Sequence, residues 1–378
     1  MRESDRTSEE MIRSEKASED WISEKKRTDG YVDDPEAAED ERTDRRIRTV
    51  NLLIAAIALC IVVLAAVIIT PMVRSATALD TSIPYDAGRY VSGTAASYSG
   101  YMQADLFASD LAVTEDNISN DAITITDETE GNLLVNLETG ETLYAQNIYT
   151  RLYPASVTKL MTGIICMKYG NMDQVVTMEY SDIDLEEGAQ LSGLSAGDQL
   201  TMNQLLHILL VYSANDAGMA IARTIAGSES AFVEMMNQEA QNLGMTGTHF
   251  MNPHGLHDEN HYTTVYDVYL MLNAAYSYSQ FSDISSLGSY TAVYNQADGS
   301  QVSSTWYATD QYLTGAHAIP EGVNLLGGKT GTTPEAGSCL TLVAQNRYGI
   351  PFIAVVLYSY NHTTLYEDMD QLLNRIND

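Results

Sequence analysis

Positive charge is scarce in this chain of 378 residues: 20 Lys and Arg stand against 51 Asp and Glu, a formal net charge of −31. Residues 1–48 hold 11 of the basic and 16 of the acidic residues, so the remainder carries −26. A phosphate backbone needs a basic surface, and nucleic acid is excluded as a partner. The same surface repels anions at long range, an effect that salt screens beyond about 8 Å, so an anionic ligand must be held by a local cation. Cysteine is rare too. Cys60, Cys166 and Cys339 form an odd trio without a C-x-x-C pair, which argues against a disulfide framework and a cysteine-based metal site. Cys166 and Cys339 are expected as buried thiols, since free cysteine packs as a small hydrophobe.

Residues 1–48 nearly lack large apolar side chains and cannot bury enough surface to offset the entropy of ordering, so they are expected to be a disordered tail. From Leu52 to Ile69 polar side chains are what is missing. These 18 apolar residues, extended to about 50–72, are long enough to span a bilayer. Arg42, Arg45, Arg46 and Arg48 precede them and only Arg74 and Arg89 follow closely, which keeps the tail cytoplasmic and exports the rest. The rival is a signal peptide cleaved at Ala76-Thr77-Ala78, but the region before it is too long and its apolar core exceeds the usual 7–15 residues. A single-pass anchor in the cell membrane is therefore expected. Residues 75–121, rich in Ser, Thr, Ala, Gly and Tyr, suit an extracytoplasmic linker, with part of Ala104 to Val113 packing on the domain that follows.

Beyond residue 48 the only lysines are Lys159, Lys168 and Lys329. Lys159 ends the string Ser156-Val157-Thr158-Lys159, which follows Pro154, a residue suited to the first position of a helix. Residues three apart share a helical face, so Lys159 can reach the Ser156 hydroxyl as a base reaches its nucleophile. A serine in a first turn also has free N–H groups and the positive end of the helix dipole beside it. Lys329 lies in Gly327-Gly328-Lys329-Thr330-Gly331-Thr332, and Ser213-Ala214-Asn215 stands between the two lysines at the end of an apolar run. Three strings in this order are far more specific than one S-x-x-K.

In these strings the chain resembles the penicillin-recognising serine acyltransferases, with S-x-x-K, S-x-N and K-T-G in sequence. The wording of Tyr153-Pro154-Ala155-Ser156, Ser213-Ala214-Asn215-Asp216-Ala217 and Asn252-Pro253-His254-Gly255-Leu256 is most similar to the low-molecular-mass penicillin-binding proteins that are serine D-alanyl-D-alanine carboxypeptidases. The resemblance implies Ser156 as nucleophile, Lys159 as base and Ser213 as proton relay. It implies Asn215, Lys329, Thr330 and Gly331 as substrate ligands, with the N–H groups of Ser156 and Thr332 as oxyanion hole. Peptidoglycan stem peptides as substrate, β-lactams as inhibitors and no cofactor follow from the same source. The residue after Lys-Thr-Gly is Thr332, where histidine or tyrosine is frequent. A β-lactamase is disfavoured because no E-x-x-L-N deacylation string occurs; a D,D-endopeptidase, or a silent β-lactam or muropeptide sensor, are the other readings.

Strands are expected at both ends of the domain 122–378: Ile123 to Thr126, Asn132 to Leu137 and Thr142 to Gln146 first, then Ser289 to Gln296, Gln301 to Tyr307, Cys339 to Ala344 and Phe352 to Tyr358. Between them, Thr201 with Gln204 and Thr264 with Asp267 look like helix caps. Such an order gives an α+β fold, an antiparallel sheet packed against helices, and the resemblance adds a β-lactamase/transpeptidase-like architecture with an all-helical lobe after the catalytic helix. A closing helix, Tyr366 to Ile376, is expected to cover the sheet. His254, His257 and His261 sit close together but lack the H-E-x-x-H spacing and lie in a loop marked by Pro253 and Gly255, so no metal is expected there. Arg151 is expected to form a structural ion pair.

Overall fold

The computed structural model describes residues 111–378. The proposed tail (1–48), membrane helix (50–72) and most of the linker (75–121) lie outside the described residues. Among the described residues no helix is long and apolar enough to cross a membrane.

The domain opens with a hairpin, β1 (Gly131–Asn136) and β2 (Thr142–Gln146), and leads through a 3-10 turn, Ala155–Thr158, into helix α1 (Lys159–Tyr169). A lobe follows with β3 (Val175–Thr177), β4 (Gln199–Thr201), α2 (Met202–His207), α3 (Asn215–Ala226), α4 (Glu229–Asn242) and α5 (Val265–Tyr276). The hairpin of β5 (Ser289–Asn295) and β6 (Gln301–Tyr307) comes next, then β7 (Asn324–Thr333), β8 (Gly337–Gln345), β9 (Pro351–Ser359) and the closing helix α6 (His362–Asn374). Strands run β2-β1-β9-β8-β7 in a five-stranded antiparallel sheet, which leaves β7 at an edge. A second antiparallel sheet, β3-β4-β5-β6, belongs to the inserted lobe. The fold is α+β as expected, but the lobe is not all-helical: residues 175–177 pair with 199–201, and Gln199 joins Asn295 of the later hairpin, which gives it a sheet of its own.

Alternation along each strand divides the main core in two, because successive side chains face opposite sides of a sheet. Leu133, Val135, Val343, Ile353 and Val355 face the helical lobe and pack with α1 and α5. Leu134, Leu340, Leu342, Ala354 and Val356 face the other way, onto Leu365, Met369, Leu372 and Leu373 of α6. Two caps appear as the sequence requires: Thr201 accepts from Gln204 N–H in a reciprocal capping box, and Thr264 accepts from Asp267 N–H. One expected strand is absent. Ile123 to Thr126 is irregular, and the Thr124 N–H donates to the Gln371 side chain of α6 at 2.7 Å instead of to a ladder.

Candidate active site

The 3-10 turn sets the chemistry by where it puts the backbone. Pro154 caps it, Ser156 lies inside it, and α1 begins only at Lys159, so the serine precedes the regular helix instead of occupying its first turn. Helix α1 runs straight through Gly163. That glycine is buried against Leu206 and Leu210, where a side chain would crowd the leucines, and the helix runs on to Tyr169. α1 is buried from Lys159 to Cys166, so the lysine side chain is enclosed behind Ser156.

Lys159 Nζ is 2.8 Å from Ser156 Oγ, 2.7 Å from Asn215 Oδ1 and 2.6 Å from the His254 carbonyl oxygen. The last two groups are acceptors only, so they take two N–H donors. A neutral amine has two donors and one lone pair, and the lone pair then faces the Ser156 hydroxyl. The electrostatics agree with that count. Complete burial pushes the Lys159 pKa well below its usual value and the Lys329 charge pushes it further, against an opposing pull from Asp216. Lys329 is buried as well, which lowers its pKa to about 7, with Asp310 opposing the shift. Two neighbouring ammonium groups in a dry site disfavour each other, so the charge on Lys329 biases Lys159 toward the neutral amine.

Three backbone features hold this arrangement. Ser213 has φ +68°, a left-handed conformation rare for a residue with a side chain, and it ends the π-turn Ile208–Tyr212 with its side chain lining the cleft. The next residues start α3, placing Asn215 against Lys159; Asp216 beside it is fixed by Ser192 through its N–H and hydroxyl. Loop 252–256 is cinched by Asn252, whose Oδ1 accepts from Gly255 N–H at 2.7 Å and whose Nδ2 donates to Leu256 O at 3.0 Å. Gly255 has φ +90°, and a Cβ there would lie 1.9 Å from the Ala155 carbonyl oxygen, so only glycine lets the loop present the His254 carbonyl to Lys159. On the opposite wall a Cβ at Gly331 would come within 3.0 Å of Ser156 N, so β7 runs directly against the 3-10 turn.

The result is a cleft of about 410 Å³ lined by Ser156, Ser213, Asn215, Thr330, Gly331 and Thr332 among others. Of the residues singled out in the sequence, Lys159 and Lys329 stand buried immediately behind it. Lys329 Nζ makes one hydrogen bond, to the Thr330 carbonyl at 2.9 Å, and so retains donor capacity. Five further lining residues, Gly188, Gln190, Thr309, Gln311 and His362, carry no string that marks them. Nor does any motif announce a backbone acceptor such as His254 O. The three histidines separate: His254 lines the cleft, His261 meets Thr158 Oγ1 at 2.9 Å, and His257 stands 4.0 Å from Glu335. Burial takes the pKa of both His254 and His261 down to about 3, so both are neutral near pH 7. Cys166 and Cys339 are free and buried, as expected. Arg151 departs from expectation: among the described residues it has no carboxylate partner, and its guanidinium lies 4.4 Å above the centre of the Tyr262 ring.

A family model described as D-alanyl-D-alanine carboxypeptidase matches residues 118–361. The D-alanyl-D-alanine carboxypeptidase DacF of Bacillus subtilis (strain 168) is 33% identical over 224 residues, 58% of this chain and 54% of that protein, so the match spans about half the length of this relative. A D-alanyl-D-alanine carboxypeptidase of Streptomyces sp. (strain K15) is 31% identical over 255 residues, 65% of this chain and 85% of that protein. The crystal structure of the Streptomyces K15 DD-transpeptidase superposes with a TM-score of 0.60 at 31% sequence identity, over 65% of this chain and 95% of that one.

Proposed function

Since the chain belongs to the D-alanyl-D-alanine carboxypeptidase family of peptidases, we propose that it is a membrane-anchored serine peptidase that removes the terminal D-alanine from peptidoglycan stem peptides. The observation that carries this reading is the three-contact environment of Lys159, which leaves a lone pair on the Ser156 hydroxyl. Ser156 Oγ attacks the carbonyl carbon of the penultimate D-alanine while its proton passes to Lys159 Nζ. The N–H groups of Ser156 and Thr332 hold the oxyanion, Asn215 meets the peptide backbone, and Lys329 with Thr330 holds the terminal carboxylate beside Gly331. Collapse of the tetrahedral adduct breaks the C–N bond. The proton reaches the departing amine through the Ser213 hydroxyl, D-alanine leaves, and the acyl group remains on Ser156. Water then adds to that ester, loses a proton to Lys159, and the shortened peptide departs as Ser156 regains its hydrogen.

Penicillin enters the same route at the first step. Labelled penicillin should give a stable adduct on Ser156 of the exported domain, because among the described residues no glutamate lines the cleft to activate a deacylating water. Ser156→Ala should leave no adduct, and Lys159→Ala should slow acylation by about 10²-fold or more, the range for losing a positioned base. A label that persists in Ser156→Ala, or rapid penicillin turnover by the unaltered chain, would sink the reading.

A further inference from the structure

A second cavity, of about 450 Å³, lies at the end of the five-stranded sheet and is lined by Glu128, Arg151, Tyr153, Glu335 and Tyr358 among others. It shares no lining residue with the cleft, yet the two are neighbours along the chain. Thr333 of β7 lines the cleft and Glu335, two residues on at the β7–β8 turn, lines the cavity. Tyr153, three residues before Ser156, forms its inner wall and meets His257 edge to face at 4.7 Å between ring centres.

Its charges are unusual for this molecule. The chain has 51 acidic residues, and Lys168, Arg223 and Arg375 all engage carboxylates. Arg151 is exposed, makes no hydrogen bond and finds no carboxylate among the described residues, although Glu128 and Glu335 line the same cavity. Glu335 in turn has only His257, at 4.0 Å, and Glu128 has no ion-pair partner among the described residues. An arginine fork and two carboxylates thus line one cavity together with Tyr153 and Tyr358, and no ion pair joins the arginine to either glutamate. A lone anion would meet the glutamates, and a lone cation would leave the guanidinium unmatched. A ligand carrying both an ammonium and a carboxylate satisfies all three, and the flat guanidinium suits a carboxylate in particular.

We propose that this cavity is a binding site for a zwitterionic side branch of the acyl-donor peptide, with Glu335 and Glu128 receiving its ammonium and Arg151 its carboxylate. The proposal rests on the reading of the cleft above, which fixes polarity along β7. With the terminal carboxylate at Lys329 and Thr330 and the reacting carbonyl at Thr332, residues before the acyl residue extend past Thr333. Strand geometry adds about 3.3 Å per residue, so one or two residues carry the peptide to the tip where Glu335 stands.

Binding to the full chain carrying Ser156→Ala tests this without turnover. Three N-acetyl tripeptides ending in D-alanyl-D-alanine are compared: the first residue bears a side chain ending in amine and carboxylate, in amine alone (lysyl), or in acetylated amine. The zwitterionic peptide should bind at least tenfold more tightly than the acetylated one. Arg151→Met should bring it down to the level of the lysyl peptide, and Glu335→Gln should weaken both charged peptides toward the acetylated one. Three affinities within twofold of each other, or a ranking that survives both substitutions, would overturn the proposal. Penicillin acylation of the unaltered chain reads the cleft alone, so failure there with the affinity ranking intact would indict the catalytic reading and leave this site standing.

Discussion

At the scale of single residues, the candidate chemistry turns on how two lysines divide one positive charge. Burial lowers the Lys329 pKa to about 7 even with Asp310 opposing the shift, so Lys329 is charged below that pH, and its charge helps strip Lys159. Asp310 is itself fixed, accepting from Tyr312 N–H at 2.9 Å and from the Tyr366 hydroxyl at 3.2 Å. Asparagine can accept both bonds, so Asp310→Asn removes charge while keeping geometry. The sign follows directly: Lys329 loses its proton as pH rises through about 7, and with it the attraction for a substrate carboxylate. KM for D-alanyl peptides should therefore rise above neutral pH, and in Asp310→Asn that rise should begin at lower pH. A KM profile unmoved by Asp310→Asn would show that Asp310 does not govern the charge of Lys329. Ser156, Lys159, Ser213, Asn215 and Lys329 were legible as a set because their spacing repeats in three short strings. The His254 carbonyl, Thr309 and Gln311 were not, since a main-chain acceptor leaves no trace in residue type, and a loop threonine and the first residue of a four-residue helix have no periodicity to give them away.

Among the elements, those whose ends are set by local chemistry were the legible ones. Helix α5 begins where Thr264 and Asp267 place it, and β2, β5 and β6 lie where their turns allow. Elements shaped by tertiary contacts were not. The 3-10 turn before α1, the π-turn before Ser213 and the short strands β3 and β4 depend on partners far away in sequence, and Ile123 to Thr126 lost its strand to the side chain of Gln371. Helix α6 was expected from Tyr366, but Asn361 caps it through the N–H groups of Thr363 and Thr364, so it starts at His362. That helix closes one face of the sheet, and Leu372 is fully buried on it. Leu372→Ala should cost about 2–5 kcal/mol, the range for emptying a core leucine site. Urea unfolding of the catalytic domain checks it; a midpoint unchanged from the parent would mean that α6 contributes little to holding the sheet.

For the whole molecule the issue is where an acidic catalytic domain is held. Its proposed substrate carries a carboxylate, and the −26 carried beyond residue 48 opposes its approach from afar. Salt reduces that opposition beyond about 8 Å, which leaves the buried charge of Lys329 to act at contact, where screening is weak. Tethering raises the local concentration of a fixed polymer substrate independently of charge, and the apolar run Leu52–Ile69 supplies such a tether in our reading. In the same reading the arginines before it keep the tail in the cytoplasm and the domain outside. Protease added to intact cells should then digest the domain and leave a membrane-held fragment containing residues 1–70, with the tail degraded only after the cells are opened. A soluble chain starting at Leu79 would instead show cleavage after Ala78, and loss of the tail in intact cells would reverse the orientation. The tether also makes a kinetic demand. Released from the membrane by cutting within residues 75–110, the domain should acylate with penicillin at an unchanged rate, because Ser156, Lys159, Ser213 and Lys329 all lie beyond the cut. Its activity on intact cell wall should fall relative to the anchored chain, and equal activity of the two forms on wall material would show that anchoring does not deliver the enzyme to its substrate.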